Sequence, residues 1–148
     1  MNETKEANIE EAICFFLENE WVSIEKVSSE GFWNEKRGVY QKRKSHYSRS
    51  GTSDLHGTLS PTGRGLYIEV KKKSEMSFFD RPAHLIEEAL RVATFDRWLA
   101  KATLKRYKHA VEQARYIEEK IKAGAVAFYA SSVDEVKWKL KSFWVEIS

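Results

Sequence analysis

An α/β fold, in which helices pack on a mixed β-sheet, is what this 148-residue chain predicts from three observations. Apolar residues recur at helical spacing in several separate stretches. The run Ser60-Pro61-Thr62-Gly63-Arg64-Gly65 separates two strand-like segments, as in a β-hairpin. Two successive helical stretches then lead into Val126-Ala127-Phe128-Tyr129, a short apolar run of the buried-strand type.

The elements follow in order. Ile9, Ala12, Ile13, Phe16 and Leu17 give a helix over residues 5–20, ended by Asn19-Glu20. Residues 21–27 alternate as a half-buried strand. Residues 28–50 read as a long basic connection, of the kind that is often functional. The hairpin pairs a strand near 52–59 with one at 66–71. Asp80-Arg81-Pro82 suits a helix start, because Asp can cap and Pro fits the first turn. Leu85, Ile86, Ala89, Leu90, Ala93 and Trp98 carry that helix to about Lys101. Tyr107, Ala110, Val111, Ala114, Ile117 and Ile121 mark a second helix over about 105–123, and Gly124 is placed to end it. Ser131 or Ser132 caps a last helix to about Leu140, with Asp134 and Glu135 in its first turn. The tail from Ser142 to Ile147 reads as a strand or a docked coil. Trp21, Trp98, Trp138 and Trp144 read as core.

Composition narrows the function classes. The length fits one domain spanning residues 1–148. Hydrophobic content of 42% and aromatic content of 13% are those of a globular chain. There is no apolar run of membrane-spanning length and no signal peptide. The single Cys14 precludes an intrachain disulfide, so a cytoplasmic setting is expected. One Cys and four scattered His make a Cys/His zinc site improbable. Of these, His56, two residues from Asp54, is the one that could matter; His84 and His109 read as structural or surface residues.

Charge is local. The net charge is +3, yet residues 36–49 hold six cations (Lys36, Arg37, Lys42, Arg43, Lys44 and Arg49) and no acid. The remaining 19 cations face 22 acids. Such a segment, carrying Tyr40, His46 and Tyr47, can grip phosphates and stack on bases, or be a solvated loop. Asp54 follows five residues beyond Arg49, which favours nucleic acid. Lys72 and Lys73 add cations just past the second hairpin strand.

Asp54, Glu69 and Lys71 stand at D-x14-E-x-K spacing. Glu69 and Lys71, two apart on a strand, share a face, and the hairpin returns Asp54 beside them. Two carboxylates on one sheet surface suit a hard cation, Mg2+ or Mn2+. A lysine beside them can orient a water, which metal-assisted phosphodiester hydrolysis requires. Alternating charges on the wet face of a strand are the plainer reading of E-x-K alone. The flanks Tyr67, Ile68 and Val70 argue for a central strand instead.

The string Gly51-x-x-Asp54…Ile68-Glu69-Val70-Lys71 resembles the PD-(D/E)xK nuclease superfamily. With Glu112-Gln113-Ala114-Arg115-Tyr116-Ile117, Ala123-Gly124, the strand to Tyr129 and Ser131-Ser132-Val133-Asp134-Glu135-Val136, it looks like the VRR-NUC branch, a relative of Holliday-junction resolvases. The resemblance runs from the first helix to about Leu140. It implies a restriction-endonuclease-like fold with an αβββαβ core. It implies Asp54, Glu69 and the Val70 carbonyl as metal ligands, Lys71 as the residue that orients water, and Gln113 as a side chain projecting to the site. It also implies a Glu from the first helix. Glu10, on the side of Ile13 and Leu17, is the choice over Glu6 and Glu11. Ser53 departs from the usual Pro of the motif. The helix at about 80–101 is an insertion whose Arg81, Arg91, Arg97, Lys101, Phe95 and Trp98 could contact DNA, form a dimer interface or simply cover the core.

The function so implied is a Mg2+- or Mn2+-dependent endodeoxyribonuclease without an organic cofactor, acting as a homodimer on branched DNA such as a four-way junction. Two readings compete with it: a nicking or restriction-like nuclease on duplex DNA, and a non-catalytic DNA-binding protein with a nuclease fold. The residues do not distinguish DNA from RNA.

Overall fold

The computed structural model describes residues 4–27, 32–41, 51–143 and 145. In chain order the elements are α1 (Glu6–Asn19), β1 (Ser23–Lys26), β2 (Phe32–Asn34), β3 (Val39–Gln41), β4 (Leu55–Thr58), β5 (Gly65–Val70), α2 (Lys73–Phe79), α3 (Ala83–Ala93), α4 (Lys101–Lys122), β6 (Val126–Ala130) and α5 (Val133–Ser142). The main sheet is mixed, in the order β1-β4-β5-β6. β4 runs antiparallel to β1 and β5, with Leu55 opposite Ile68. β5 and β6 are parallel, with Glu69 opposite Tyr129. A parallel neighbour demands a long crossover, and α2, α3 and α4 supply it.

Each face of β5 has its own core. Leu66, Ile68 and Val70 are fully buried with Ile9, Ile13 and Leu17 of α1 and Val136 and Leu140 of α5. Each such side chain contributes about 1.5–3 kcal/mol by leaving water. The alternate residue Tyr67 packs with Ala127 and Tyr129 against Ala110, Val111, Ala114 and Ile117 of α4. Glu69 and Lys71 have the parity of Tyr67, so the strand period turns them toward α4.

Several terminators act as the residues require. Gly124 has φ +96° after α4, and the amides of Gly124 and Ala125 return to the carbonyls of Ile121 and Lys120 at 3.0 Å. This is the left-handed turn that favours glycine. Ser132, rather than Ser131, caps α5: its Oγ accepts from the Glu135 amide at 3.1 Å. Ser131 Oγ instead binds the Glu135 carboxylate. Arg64, in the hairpin turn, reaches the carbonyls of Gly124 and Phe143. Lys139 Nζ donates to the Tyr129 carbonyl on β6 and pairs with Asp80 at 2.9 Å.

Four expectations are corrected. Residues 28–50, read as a connection, contain the antiparallel hairpin β2–β3. In place of one helix over 80–101 stands the shorter α3, followed by a turn that leads into α4 at Lys101. α2 already ends at Phe79, Pro82 stands extended (ψ 138°) as the N-cap of α3, and α3 stops at Ala93. Asp80 does not cap α3; the Ala83 amide donates to Glu118 of α4 at 2.8 Å. Three of the four tryptophans read as core are exposed, at 88% for Trp21, 86% for Trp98 and 68% for Trp138; Trp144 lies outside the described residues. Trp21 occupies the left-handed position (φ 60°) just past α1, where an amide return from Val22 to the Leu17 carbonyl closes the helix. The alternation of residues 21–27 mistook that cap for the start of a strand. Of the tail, Val145 is coil packed against the α1/α5 core.

Ile68→Ala is expected to lower the unfolding free energy by about 3 kcal/mol, as a methyl-lined cavity opens in a fully buried site. Trp21→Gly is expected to raise the urea midpoint, because it relieves a left-handed backbone and removes no buried surface. Urea titrations followed by circular dichroism check both.

Candidate active site

β5 ends in Glu69-Val70, and two amide contacts tie the segment before β4 to it. The Val70 amide donates to Asp54 Oδ2 at 2.9 Å, and the Asp54 amide donates to Glu69 Oε2 at 3.2 Å. The two carboxylates are thereby held side by side. Gln113 of α4 donates from Nε2 to Glu69 Oε1 at 2.7 Å. Lys71 Nζ lies 3.6 Å from the same oxygen and 4.0 Å from the centroid of the Phe79 ring. Glu69, Lys71 and Gln113 are each buried. The backbone of Lys71 is fixed from β6, its amide donating to the Ala130 carbonyl at 3.1 Å. The sequence-selected set of Asp54, Glu69, Val70, Lys71 and Gln113 thus converges at one end of the sheet.

Gly51 explains how the loop and α4 meet. It has φ +81°, and a Cβ there would come within 2.9 Å of the backbone carbon and Cβ of Glu112. Only glycine lets the chain pass this close to α4 immediately before Gln113. Ser53, beside Asp54, is buried with an unpartnered Oγ.

Electrostatics mark the carboxylate pair. Burial pushes the Glu69 carboxyl up to about 9, helped by the charge of Asp54 and opposed by Lys71. Two carboxylates crowded together, one of them buried, favour a shared proton or a cation between them. The buried Gln113 Oε1 has no hydrogen-bond partner. A donor set of two carboxylate oxygens with an orphaned amide oxygen beside them fits a hard divalent cation. Among the described residues no group of three or more His, Cys, Asp or Glu side chains forms a metal cage. The fit therefore rests on two carboxylates and neighbouring neutral oxygens.

α1 contributes two acids. Burial raises the Glu10 carboxyl, Asp54 adds to the rise, and Lys26 at 3.7 Å opposes it. Glu6, one turn earlier, is raised by burial, lowered by Lys71 and raised by Asp54. Both helix acids therefore sense the site, and Glu6 senses Lys71. The i, i+4 spacing of Glu6 and Glu10 was the available signal. His109, expected from the sequence to be a structural or surface residue, also lies near these groups. It sits one turn before Gln113, and its imidazole is lowered by partial burial and by Lys71. His56 is committed elsewhere. It lies 3.2 Å from Tyr116 Oη and edge-on to Tyr67, inside an aromatic cluster.

Of the cations assigned to nucleic acid, Lys36 and Arg37 lie exposed on the β2–β3 turn, and Lys72 and Lys73 are exposed directly after Lys71. Lys42, Arg43, Lys44 and Arg49 lie outside the described residues. Among the described residues no helix is long and apolar enough to cross a membrane. Comparison of the chain with protein-family profiles, curated proteins and solved structures finds no match.

Two outcomes are expected. The folded protein holds the Glu69 proton to about pH 9, whereas an ordinary Glu releases it near 4.5. The unfolded state then binds fewer protons across that window, so this group makes stability fall as pH rises through it. Without divalent cation the urea midpoint should carry that downward component, Glu69→Gln should remove most of it, and Mn2+ should raise the midpoint most at the alkaline end. Separately, Gly51→Ala should cost about 2 kcal/mol or more, from backbone strain and the contact with α4. Gly63→Ala, with φ +76° but no atom within 4 Å, should cost about 1 kcal/mol. Paired urea titrations read the difference.

Proposed function

We propose that this chain is a metal-dependent endodeoxyribonuclease, selective for DNA structure and acting on branched DNA such as four-way junctions. The observation that carries the reading is the half-buried Asp54 held against the buried Glu69, with Lys71 and Gln113 on the same oxygen of Glu69. The sequential order of α1, three antiparallel strands, a helical crossover and a parallel strand supports a restriction-endonuclease-like αβββαβ core of the VRR-NUC type.

Asp54, Glu69 and the Val70 carbonyl would hold Mg2+ or Mn2+. When bound, the cation supplies charge stabilisation to the scissile phosphate and acidifies water. The residues do the rest. Gln113 locks the Glu69 carboxylate through Nε2 and leaves Oε1 free to accept from a water. Lys71, held between Glu69 and the Phe79 ring, donates from Nζ to that water or to the phosphate. Glu6 and Glu10, both raised above the usual carboxylate range by burial, are proton acceptors at the edge of the site. The cations around Lys72 and Lys73 hold the backbone by charge, without reading bases. Paired incision of a junction calls for two such sites, hence a homodimer in a cytoplasmic setting.

Cleavage of a labelled four-way junction, a matched linear duplex and a single strand, with Mg2+ or Mn2+, tests the proposal. Symmetric metal-dependent cutting of the junction is expected, with Lys71→Ala lowering the rate at least a hundredfold. Cutting confined to linear duplex would favour a nicking or restriction-like enzyme. Binding without cutting under either metal would overturn the enzyme.

A further inference from the structure

The turn joining α3 to α4 displays two aromatic side chains in water, Phe95 at 80% and Trp98 at 86% exposure. Such surface carries a solvation cost unless something covers it. The turn is ordered. Its amides close on Val92, Ala93 and Asp96 carbonyls, and the Trp98 amide donates to Asp96 Oδ1 at 2.9 Å. The Arg97 guanidinium lies 5.8 Å from the Trp98 ring centroid. From this corner α4 runs to the site. Lys101, Lys105 and Lys108 are exposed at spacings of four and three, along one line of the helix that next meets Glu112 beside Gln113. No ion pair engages these three lysines among the described residues. Residues 97–111 hold five cations (Arg97, Lys101, Lys105, Arg106 and Lys108) and no acid.

We propose that this corner is a binding platform for forked DNA, in which unpaired bases stack on Phe95 and Trp98 while the lysine line of α4 carries the adjoining backbone to the site. Charge selects the occupant: a cationic line ending in exposed aromatic rings is complementary to a phosphate backbone with unstacked bases. The inference deepens the nuclease reading and rests on it for what the strand is delivered to. One rigid helix separates the corner from Gln113 by about 18 Å, at 1.5 Å per residue. At about 3.4 Å per nucleotide of duplex, cuts should fall on the order of five nucleotides from the fork.

The test is fluorescence anisotropy with a forked duplex and a fully paired duplex of equal length, without divalent cation so that nothing is cut. The proteins are the full chain, a Phe95→Ala/Trp98→Ala variant and a variant with Lys101, Lys105 and Lys108 each changed to Gln. The aromatic variant should bind the fork roughly tenfold more weakly and the duplex within about twofold of wild type. The lysine variant should weaken both and reduce the slope of log affinity against log salt by about 2–3. Circular dichroism verifies that each variant folds. Unchanged fork affinity in the aromatic variant overturns the platform, as does a wild type that binds neither DNA. So does a dimer that dissociates in sedimentation while fork affinity persists, which would assign the corner to a second copy of the chain. Metal-dependent cleavage with unaltered fork binding sinks the platform and keeps the nuclease. The expected binding losses without any cleavage keep the platform and sink the nuclease.

Discussion

Two acid groups forced together, one buried and one half-buried, organise this molecule. Asp54 and Glu69 come from different strand ends, and each is tied to the other's segment through a backbone amide. Burial and mutual charge hold Glu69 protonated well above the usual carboxylate range. Hydrophobic packing alone would not choose such an arrangement, since burying a carboxylate is costly. The cost is borne by the strands around it. β5 is central, its other face is filled by Leu66, Ile68 and Val70, and its neighbours fix it in register on both sides.

That constraint explains why α4 lies where it does. Gln113 must reach Glu69 from across the sheet face, and Gly51 must pass within contact of the helix one residue earlier. Ala110 and Ala114, small residues on the same side, let the helix sit close to the sheet. The helix is consequently both a wall of the second core and a support for the polar cluster. Its length, 22 residues, exceeds what the site alone needs, and the surplus is the cationic end.

Much of this was legible in the sequence. Period-two alternation around Ile68 and Val70 placed Glu69 and Lys71 on one face, and the glycine-rich turn returned Asp54 beside them. The Ser132 cap and the Gly124 terminator were readable because their chemistry is local. What escaped depends on distant partners. Trp98 has the spacing of a core residue, yet the chain leaves the helix before reaching it. Asp80 looks like a cap, but Glu118, 35 residues beyond Ala83, takes the amide and Lys139 takes the aspartate. His109 carries no local signal of its own, and Glu6 only its i, i+4 spacing to Glu10. They matter because α1 and α4 bring them within the field of Lys71 and Asp54.

Lys139 has one more effect. β6 is an outer strand of the main sheet, and parallel pairing with β5 turns alternate backbone groups outward. The Tyr129 carbonyl is among them, and the lysine that binds it is itself anchored by Asp80. An incoming strand would have to displace the ammonium from the carbonyl it binds. Sheet-to-sheet fusion of two chains along that rim is therefore disfavoured.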